Sequence, residues 1–107
     1  MSTVKTLTAA GVATGKHAIL FGITVSSVID PTAPPPSGDV VFEVRDSTAA
    51  DGTGDLIARL LLTAGAGSSM NTLTFPAGVR CGKGIAVNIT NSSPEAHGDL
   101  VVSLDYS

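Results

Sequence analysis

Apolar residues alternate with polar or small residues along most of this chain, and this two-residue period limits its possible folds more than any other feature. Residues 39–46 show it most clearly, with large apolar side chains at every second position, namely Val40, Phe42 and Val44. Because successive side chains of a β-strand point to opposite faces, such alternation is typical of a strand that is buried on one face only. The pattern therefore predicts an all-β chain.

The alternating segments are bounded by Gly, Pro, Asn, Asp and Ser, the residues that favour turns. They predict six or seven strands, at residues 4–7, 17–28, 39–46, 55–63, 72–75, 85–90 and 99–106. Turns or loops are predicted at residues 11–15, 29–38, 47–54, 64–71, 77–84 and 91–98. Strands joined by such links pack as two antiparallel sheets, so we expect a single antiparallel β-sandwich or jelly-roll-like domain of six to eight strands.

The length of 107 residues suffices for one domain with its own core. We expect residues 1–15 to be an N-terminal arm or short strand and residues 16–107 to form the sandwich. Residues 29–38 should be a Pro-rich loop, because proline has no N–H to donate to a sheet. Within the core we expect three residues to be buried on facing strands: Phe42, Val87 and Val102.

The longest alternating segment, residues 17–28, predicts a strand in which Gly22 is a plausible site for a bend. Leu20 would then point outward, opposite a core face made of Ile19, Phe21, Ile23 and Val25.

Residues 55–63 allow two interpretations. Leu, Ala and Arg are good helix formers, so the segment suits a two-turn helix. Its short length and the strands around it favour a strand instead. As a strand it would be apolar on both faces, with Leu56, Leu60 and Leu62 on one face and Ile57 and Leu61 on the other.

No catalytic or metal-binding constellation is visible. The two histidines, His17 and His97, have no further ligands at the spacing of a zinc site. The lone cysteine, Cys81, excludes an internal disulfide and has no orienting partner for nucleophilic chemistry, so a structural role is predicted. We expect a protein that is not an enzyme and has no catalytic residues, no metal and no cofactor.

Three carboxylates surround the Gly-rich turn after residue 46, and carboxylates on such a turn are typical calcium ligands. They are Asp46, Asp51 and Asp55. The ligand spacing of a calcium loop is missing, because Thr53 stands where a second ligand belongs and no bidentate Glu follows. A plain turn is the preferred interpretation.

Charge and hydropathy exclude two classes of partner. Six Lys and Arg against nine Asp and Glu give a net charge of -3, which argues against nucleic-acid binding. The longest apolar stretch, residues 18–23, is interrupted by Gly22 and is far shorter than the ~20 residues of a membrane span. The first ten residues lack the layout of a signal peptide, so we expect synthesis in the cytoplasm without ordinary secretion.

The predicted outer faces are unusually apolar. Charged residues make up only 14% of the chain, against roughly 25% in an average soluble domain. A monomer of this size would ordinarily solvate its outer faces with Lys and Glu. We therefore expect contacts with other chains, and the candidate interface residues are Leu20, Val41, Ile57, Leu61 and Val101.

The order of segments also carries a family resemblance. Gly-Lys-His-Ala-Ile-Leu-Phe-Gly-Ile is followed by Val-Val-Phe-Glu-Val-Arg-Asp-Ser and a Gly-rich turn. Then come Leu-Ile-Ala-Arg-Leu, Thr-Phe-Pro-Ala-Gly-Val-Arg-Cys-Gly-Lys-Gly-Ile-Ala-Val and a terminal Val-Ser-Leu-Asp-Tyr. Over residues 16–107 this order resembles small virion proteins of tailed bacteriophages, which are single β-sandwich or jelly-roll domains.

The resemblance implies a non-enzymatic capsid decoration or cement protein, made in the host cytoplasm and located on the capsid surface of the virion. Its partners would be the phage major capsid protein or another virion protein, together with its own copies, and a trimer would suit threefold positions of the shell. The resemblance assigns no individual functional residue.

A carbohydrate-binding or host-adhesion module is the alternative. Such modules usually present exposed aromatic rings. All three phenylalanines are predicted on core faces, which leaves Tyr106 as the remaining aromatic residue and makes this alternative the weaker one.

Overall fold

The computed structural model describes residues 3–28, 40–62, 69–90 and 99–107. Within these ranges the chain forms eight β-strands and no helix. The strands are β1 (Thr3–Leu7), β2 (Gly11–Thr14), β3 (Ala18–Val28), β4 (Val40–Asp46), β5 (Asp55–Leu62), β6 (Ser69–Cys81), β7 (Ile85–Thr90) and β8 (Asp99–Tyr106). The described part of the chain thus contains no helix that could cross a membrane. The predicted loops at residues 29–38 and 91–98 lie outside the described residues.

The strands form two antiparallel four-stranded sheets. Sheet A has the order β1-β8-β3-β6, and sheet B has the order β2-β7-β4-β5. The first strand pairs with the last, the second with the seventh, the third with the sixth and the fourth with the fifth. The chain therefore follows one long hairpin, closed at the β4–β5 turn and wrapped across both sheets. This is a jelly-roll arrangement, and it confirms the predicted fold class.

The N-terminal residues belong to the sandwich. β1 pairs with β8 in sheet A, and β2 pairs with β7 in sheet B. The Tyr106 hydroxyl donates to the carbonyl of Ala13 at 3.3 Å, which links the end of β8 to β2. The turn predicted at residues 11–15 is therefore wrong for Gly11–Thr14. The segment is short and rich in small residues, and its pairing with β7 is not visible from local sequence.

β6 is longer than predicted, because residues 69–71 and 77–81 are strand as well. Its pairing with β3 is interrupted, since Gly22 lies opposite Thr74 but Leu20 lies opposite Val79. Pro76 falls within this interruption, on an edge strand, so its missing N–H costs the sheet no hydrogen bond. The predicted end of the strand at Pro76 is therefore wrong.

The same irregularity corrects the predicted faces of β3. Before it, Leu20 is fully buried, and after it Ile23 and Val25 are buried, whereas Ile19 and Phe21 are only half-buried. One extra residue in a strand moves the preceding side chains to the opposite face. Leu20 therefore lies in the core, and Phe21 lies on the outer face of sheet A.

β5 confirms the strand interpretation and contains a second irregularity. Val44 pairs with Ala58 but Arg45 pairs with Leu56, so Ile57 has no partner on β4. Ile57 packs against the core, and Leu56 is exposed. The predicted faces of these two residues are therefore exchanged.

The core lies between the sheets and contains the three residues predicted there. Phe42 and Val87 of sheet B and Val102 of sheet A are all fully buried. Complete burial of a side chain of this size contributes roughly 1.5–3 kcal/mol, so the inner faces dominate the stability of the domain.

Candidate functional site

The structure separates the five predicted interface residues. Leu20 is 0% exposed and Ile57 packs on the core, so neither is available to a partner without rearrangement. Val101 is half-buried on β8, paired with Ser26 of β3 in sheet A. Only Val41 and Leu61 lie side by side, as a cross-strand pair of β4 and β5.

The outer face of β4 and β5 combines three successive cross-strand pairs. Val41 pairs with Leu61, Glu43 with Arg59, and Arg45 with Leu56. Leu61 and Leu56 are 46% and 45% exposed, and they are two of the most exposed large apolar side chains among the described residues. We call these six residues the sheet-B face. Sequence analysis missed Leu56, because the irregularity at Ile57 depends on pairing with β4 and leaves no local signal.

The sheet-B face carries two arginines and one glutamate, so a net charge of +1 remains when both arginines pair with Glu43. Glu43 Oε2 lies 2.8 Å from Nη2 of Arg59 and 3.2 Å from Nη2 of Arg45. The hydrogen bond from Arg59 is the main cause that lowers the pKa of Glu43, and desolvation opposes it. The carboxylate therefore stays ionised and shared between two guanidinium groups.

The guanidinium group of Arg45 makes a second hydrogen bond, to the β4–β5 turn. Its Nη1 donates to the carbonyl of Gly54 in the β4–β5 turn at 2.9 Å. Its Nε is buried and has no hydrogen-bond partner among the described residues. The guanidinium of Arg45 is therefore anchored to the carbonyl of Gly54 and to the carboxylate of Glu43.

The carboxylates considered for calcium do not converge. Asp46 accepts hydrogen bonds from backbone N–H groups of the turn after β6, whereas Asp51 accepts from the N–H and hydroxyl of Thr53. In the described ranges no group of three or more His, Cys, Asp or Glu side chains is placed to hold a metal ion. His17 is exposed, and His97 lies outside the described residues.

Cys81 lies at the end of β6 and is fully buried. Burial is the main cause that raises the pKa of its thiol, and the negative charge of Asp46 adds to the effect. A buried thiol with a raised pKa is a poor nucleophile, which agrees with the structural role predicted for it.

No protein-family model, curated protein or solved structure matches this chain. Its function is therefore inferred from its own sequence, fold and surfaces. Of the predicted candidates, the structure brings together Val41 and Leu61, and it adds Leu56 to the same face.

Proposed function

We propose that this chain is a non-enzymatic structural protein of a phage virion, a capsid decoration or cement protein that binds the assembled shell and its own copies. The observation that supports it best is the sheet-B face, where two leucines are nearly half exposed beside two arginines that share one glutamate. Covering such a surface favours association, because each Å² of apolar surface removed from water contributes roughly 25 cal/mol to the free energy of binding.

The composition of this face fits a contact surface. Arg is enriched at protein interfaces, while Lys and Glu are depleted. β4, β5 and β7 contain no lysine, and their single glutamate, Glu43, is paired with Arg59. A partner that covers Leu56 and Leu61 would also cover Arg59 and Arg45, so it would have to offer an acceptor for the one positive charge that Glu43 does not balance.

The fold supports the proposal without deciding it. Eight-stranded jelly rolls recur in viral capsid proteins and also in lectins, so architecture by itself does not assign function. The order of segments in residues 16–107, which resembles small virion proteins of tailed phages, favours the viral assignment. A protein that binds only the assembled shell stabilises it by mass action, which is how a cement protein would work.

The proposal places the chain on the capsid surface, in contact with the major capsid protein or another virion protein. Self-association would occur through the sheet-B face, and a closed oligomer such as a trimer would suit threefold positions of the shell. Nucleic acid and membrane are not among the proposed partners, given the net charge of -3.

Purified particles of the phage that encodes the chain provide the test. Particles banded on a density gradient should contain many copies of the chain per particle. Quantitative mass spectrometry measures this number relative to the major capsid protein. Particles that lack the chain should bind the recombinant protein and become more resistant to heat. Absence of the chain from banded particles, together with no binding to them, would contradict the proposal.

A matched pair of variants tests the surface. Leu61→Glu should abolish co-sedimentation with the particles, because it replaces an apolar side chain of the contact with a charged one. Met70→Glu is the control, since Met70 is an apolar residue, 72% exposed, on β6 of sheet A. Equal binding by both variants would show that the sheet-B face is not the contact surface.

A further inference from the structure

The outer face of sheet A carries a groove of about 290 Å³. This volume is near the lower end of the range for small-molecule sites, roughly 300 to 1,000 Å³. The lining includes one aromatic ring, four hydroxyl groups and one carboxylate: Phe21, Thr24, Thr72, Thr74, Ser103 and Asp105. We call it the sheet-A groove.

The groove exists because a glycine interrupts a row of side chains. Gly22 lies between Asp105 of β8 and Thr74 of β6 in the sheet register, and it contributes no side chain to the outer face. The next row of the same face consists of Ser103, Thr24 and Thr72 on β8, β3 and β6. A hollow over Gly22 is thus edged by hydroxyl groups from three strands.

The polar groups of the groove have free hydrogen-bonding capacity. The hydroxyls of Thr24 and Thr72 lie 3.3 Å apart, and each can both donate and accept. Oδ1 of Asp105 is buried and has no hydrogen-bond partner among the described residues.

Phe21 provides an aromatic surface at the groove, contrary to the expectation that it would lie in the core. Gly78 of β6 makes room for it, because a Cβ at Gly78 would lie 3.0 Å from Cε1 of Phe21 and 2.5 Å from Cγ2 of Ile19. Gly78 has a φ of 78°, which other residues rarely adopt. The ring is therefore held in place by the backbone of the neighbouring strand.

The charge of the lining restricts the ligand. Among the described residues that line the groove there is one carboxylate and no Lys, Arg or His. An anionic ligand would be repelled by Asp105, and a simple cation would leave the O–H donors of the hydroxyl groups unused. A neutral molecule with several hydroxyl groups and one apolar face satisfies both the hydroxyls and the ring of Phe21.

We propose that the sheet-A groove binds a saccharide, with one pyranose ring seated over Gly22. The C–H face of the sugar packs on Phe21, and its hydroxyl groups bond to Asp105 and to the row of Ser103, Thr24 and Thr72. The inference goes beyond the proposed virion role and does not depend on it, since it concerns the opposite sheet. A single small groove should bind a monosaccharide weakly, with a dissociation constant of about 1 mM or above.

NMR titration of the ¹⁵N-labelled full chain tests the site. The probes are the methyl glycosides of glucose, galactose, mannose and N-acetylglucosamine, with sorbitol as an acyclic control. At least one glycoside should shift the amide resonances of β3, β6 and β8 around the groove in a saturable manner, and sorbitol should not. If none of the four glycosides shifts these resonances, or if sorbitol does so equally, the proposal is overturned.

Variants locate the binding. Gly22→Val should fill the groove and abolish binding, and its Cβ would be in ordinary van der Waals contact with its nearest neighbours, 3.6 and 3.9 Å away. Phe21→Ala should weaken binding at least tenfold. Ser26→Val, on the same face of β3 but outside the groove, is the matched control and should bind as the parent does.

The variants also separate this proposal from the virion role. Unchanged binding by folded Phe21→Ala protein, or by Gly22→Val protein, would overturn the groove as the site. Leu61→Glu should bind the glycoside normally, because Leu61 lies on sheet B. Failure of the saccharide titration would leave the particle-binding experiments unaffected.

Discussion

The carboxylate of Asp46, at the end of β4, accepts a hydrogen bond of 2.8 Å from the backbone N–H of Lys83, which lies 37 positions later in the turn between β6 and β7. The N–H groups of Gly82 and Gly84 donate to the same carboxylate at 3.0 and 3.3 Å. One side chain of sheet B thereby holds the turn through which the chain leaves sheet A. This contact closes one end of the sandwich.

Removing the charge of Asp46 should destabilise the domain. Asp46→Asn weakens three charge-assisted hydrogen bonds, and we expect a loss of about 1–2 kcal/mol in the free energy of unfolding, measured by urea denaturation. Asp55→Asn is the matched control. Asp55 faces Asp46 across the β4–β5 pair, so this substitution removes the same charge at a neighbouring position without affecting those bonds directly. Equal effects of the two substitutions would contradict the role assigned to Asp46.

Stability should fall in acid. The pKa values of Asp46, Glu43 and Asp51 are all lowered in the folded protein, in Asp46 mainly by the hydrogen bond from Lys83. A carboxyl group with a lowered folded-state pKa stabilises the fold fully above its unfolded pKa, about 4. That contribution is lost as the pH falls through the lower folded-state pKa.

Urea denaturation between about pH 5 and pH 2 measures this dependence. The free energy of unfolding should decrease over that interval, and the decrease should be smaller in Asp46→Asn. A parent protein whose stability is constant or rises toward pH 2 would show that these carboxylates are not stabilised by folding.

Substitution by alanine should affect stability differently at two glycines of the same turn. A Cβ at Gly84 would lie 2.4 Å from the carbonyl oxygen of Thr14 and 2.9 Å from that of Ser47, so the backbone would have to move. A Cβ at Gly82 would have Asp46 Oδ2 at 3.9 Å as its nearest neighbour. We expect Gly84→Ala to cost about 1–3 kcal/mol or more in thermal or urea unfolding and Gly82→Ala to be nearly neutral. The reverse order would refute the close packing of this turn against β2 and β4.

A charge in the core should prevent folding. Val87 is fully buried on β7, so Val87→Asp would bury an unpaired carboxylate. Circular dichroism and thermal melting should show an unfolded or aggregated protein, whereas Asn88→Asp at the next position, on the outer face, should melt cooperatively. Soluble, cooperatively melting Val87→Asp protein would mean that the register of β7 is wrong.

The sequence predicts the fold class because alternation is a local property. Each half-buried strand repeats it, and turn residues mark most of the ends, as Val40–Asp46 and Asp99–Tyr106 illustrate. The irregularity of β3 lies next to Gly22, where a bend was predicted, but its effect on the side-chain faces was not predicted. The irregularity at Ile57 was not predicted, because it arises from pairing with β4. Each irregularity exchanges the faces of two residues. These are Leu20 and Phe21 in β3, and Leu56 and Ile57 in β5.

These exchanges of face determine which candidate site residues were predicted correctly. Val41 and Leu61 lie beyond the irregularities and point outward as predicted. The sheet-A groove was not foreseen, although Gly22 was recognised as a special position of β3. The hollow over Gly22 depends on Asp105 and Thr74, which only the sheet order places on either side of it.

The central claim is that the chain assembles through the sheet-B face, and sedimentation velocity of the parent chain and of a Leu56→Glu, Leu61→Glu double variant tests it most directly. The parent should sediment as an oligomer of the 10.7 kDa chain. The double variant should sediment as a folded monomer that still melts cooperatively, because both leucines lie outside the core. A parent that is monomeric at every concentration, or a double variant that assembles like the parent, would contradict the account.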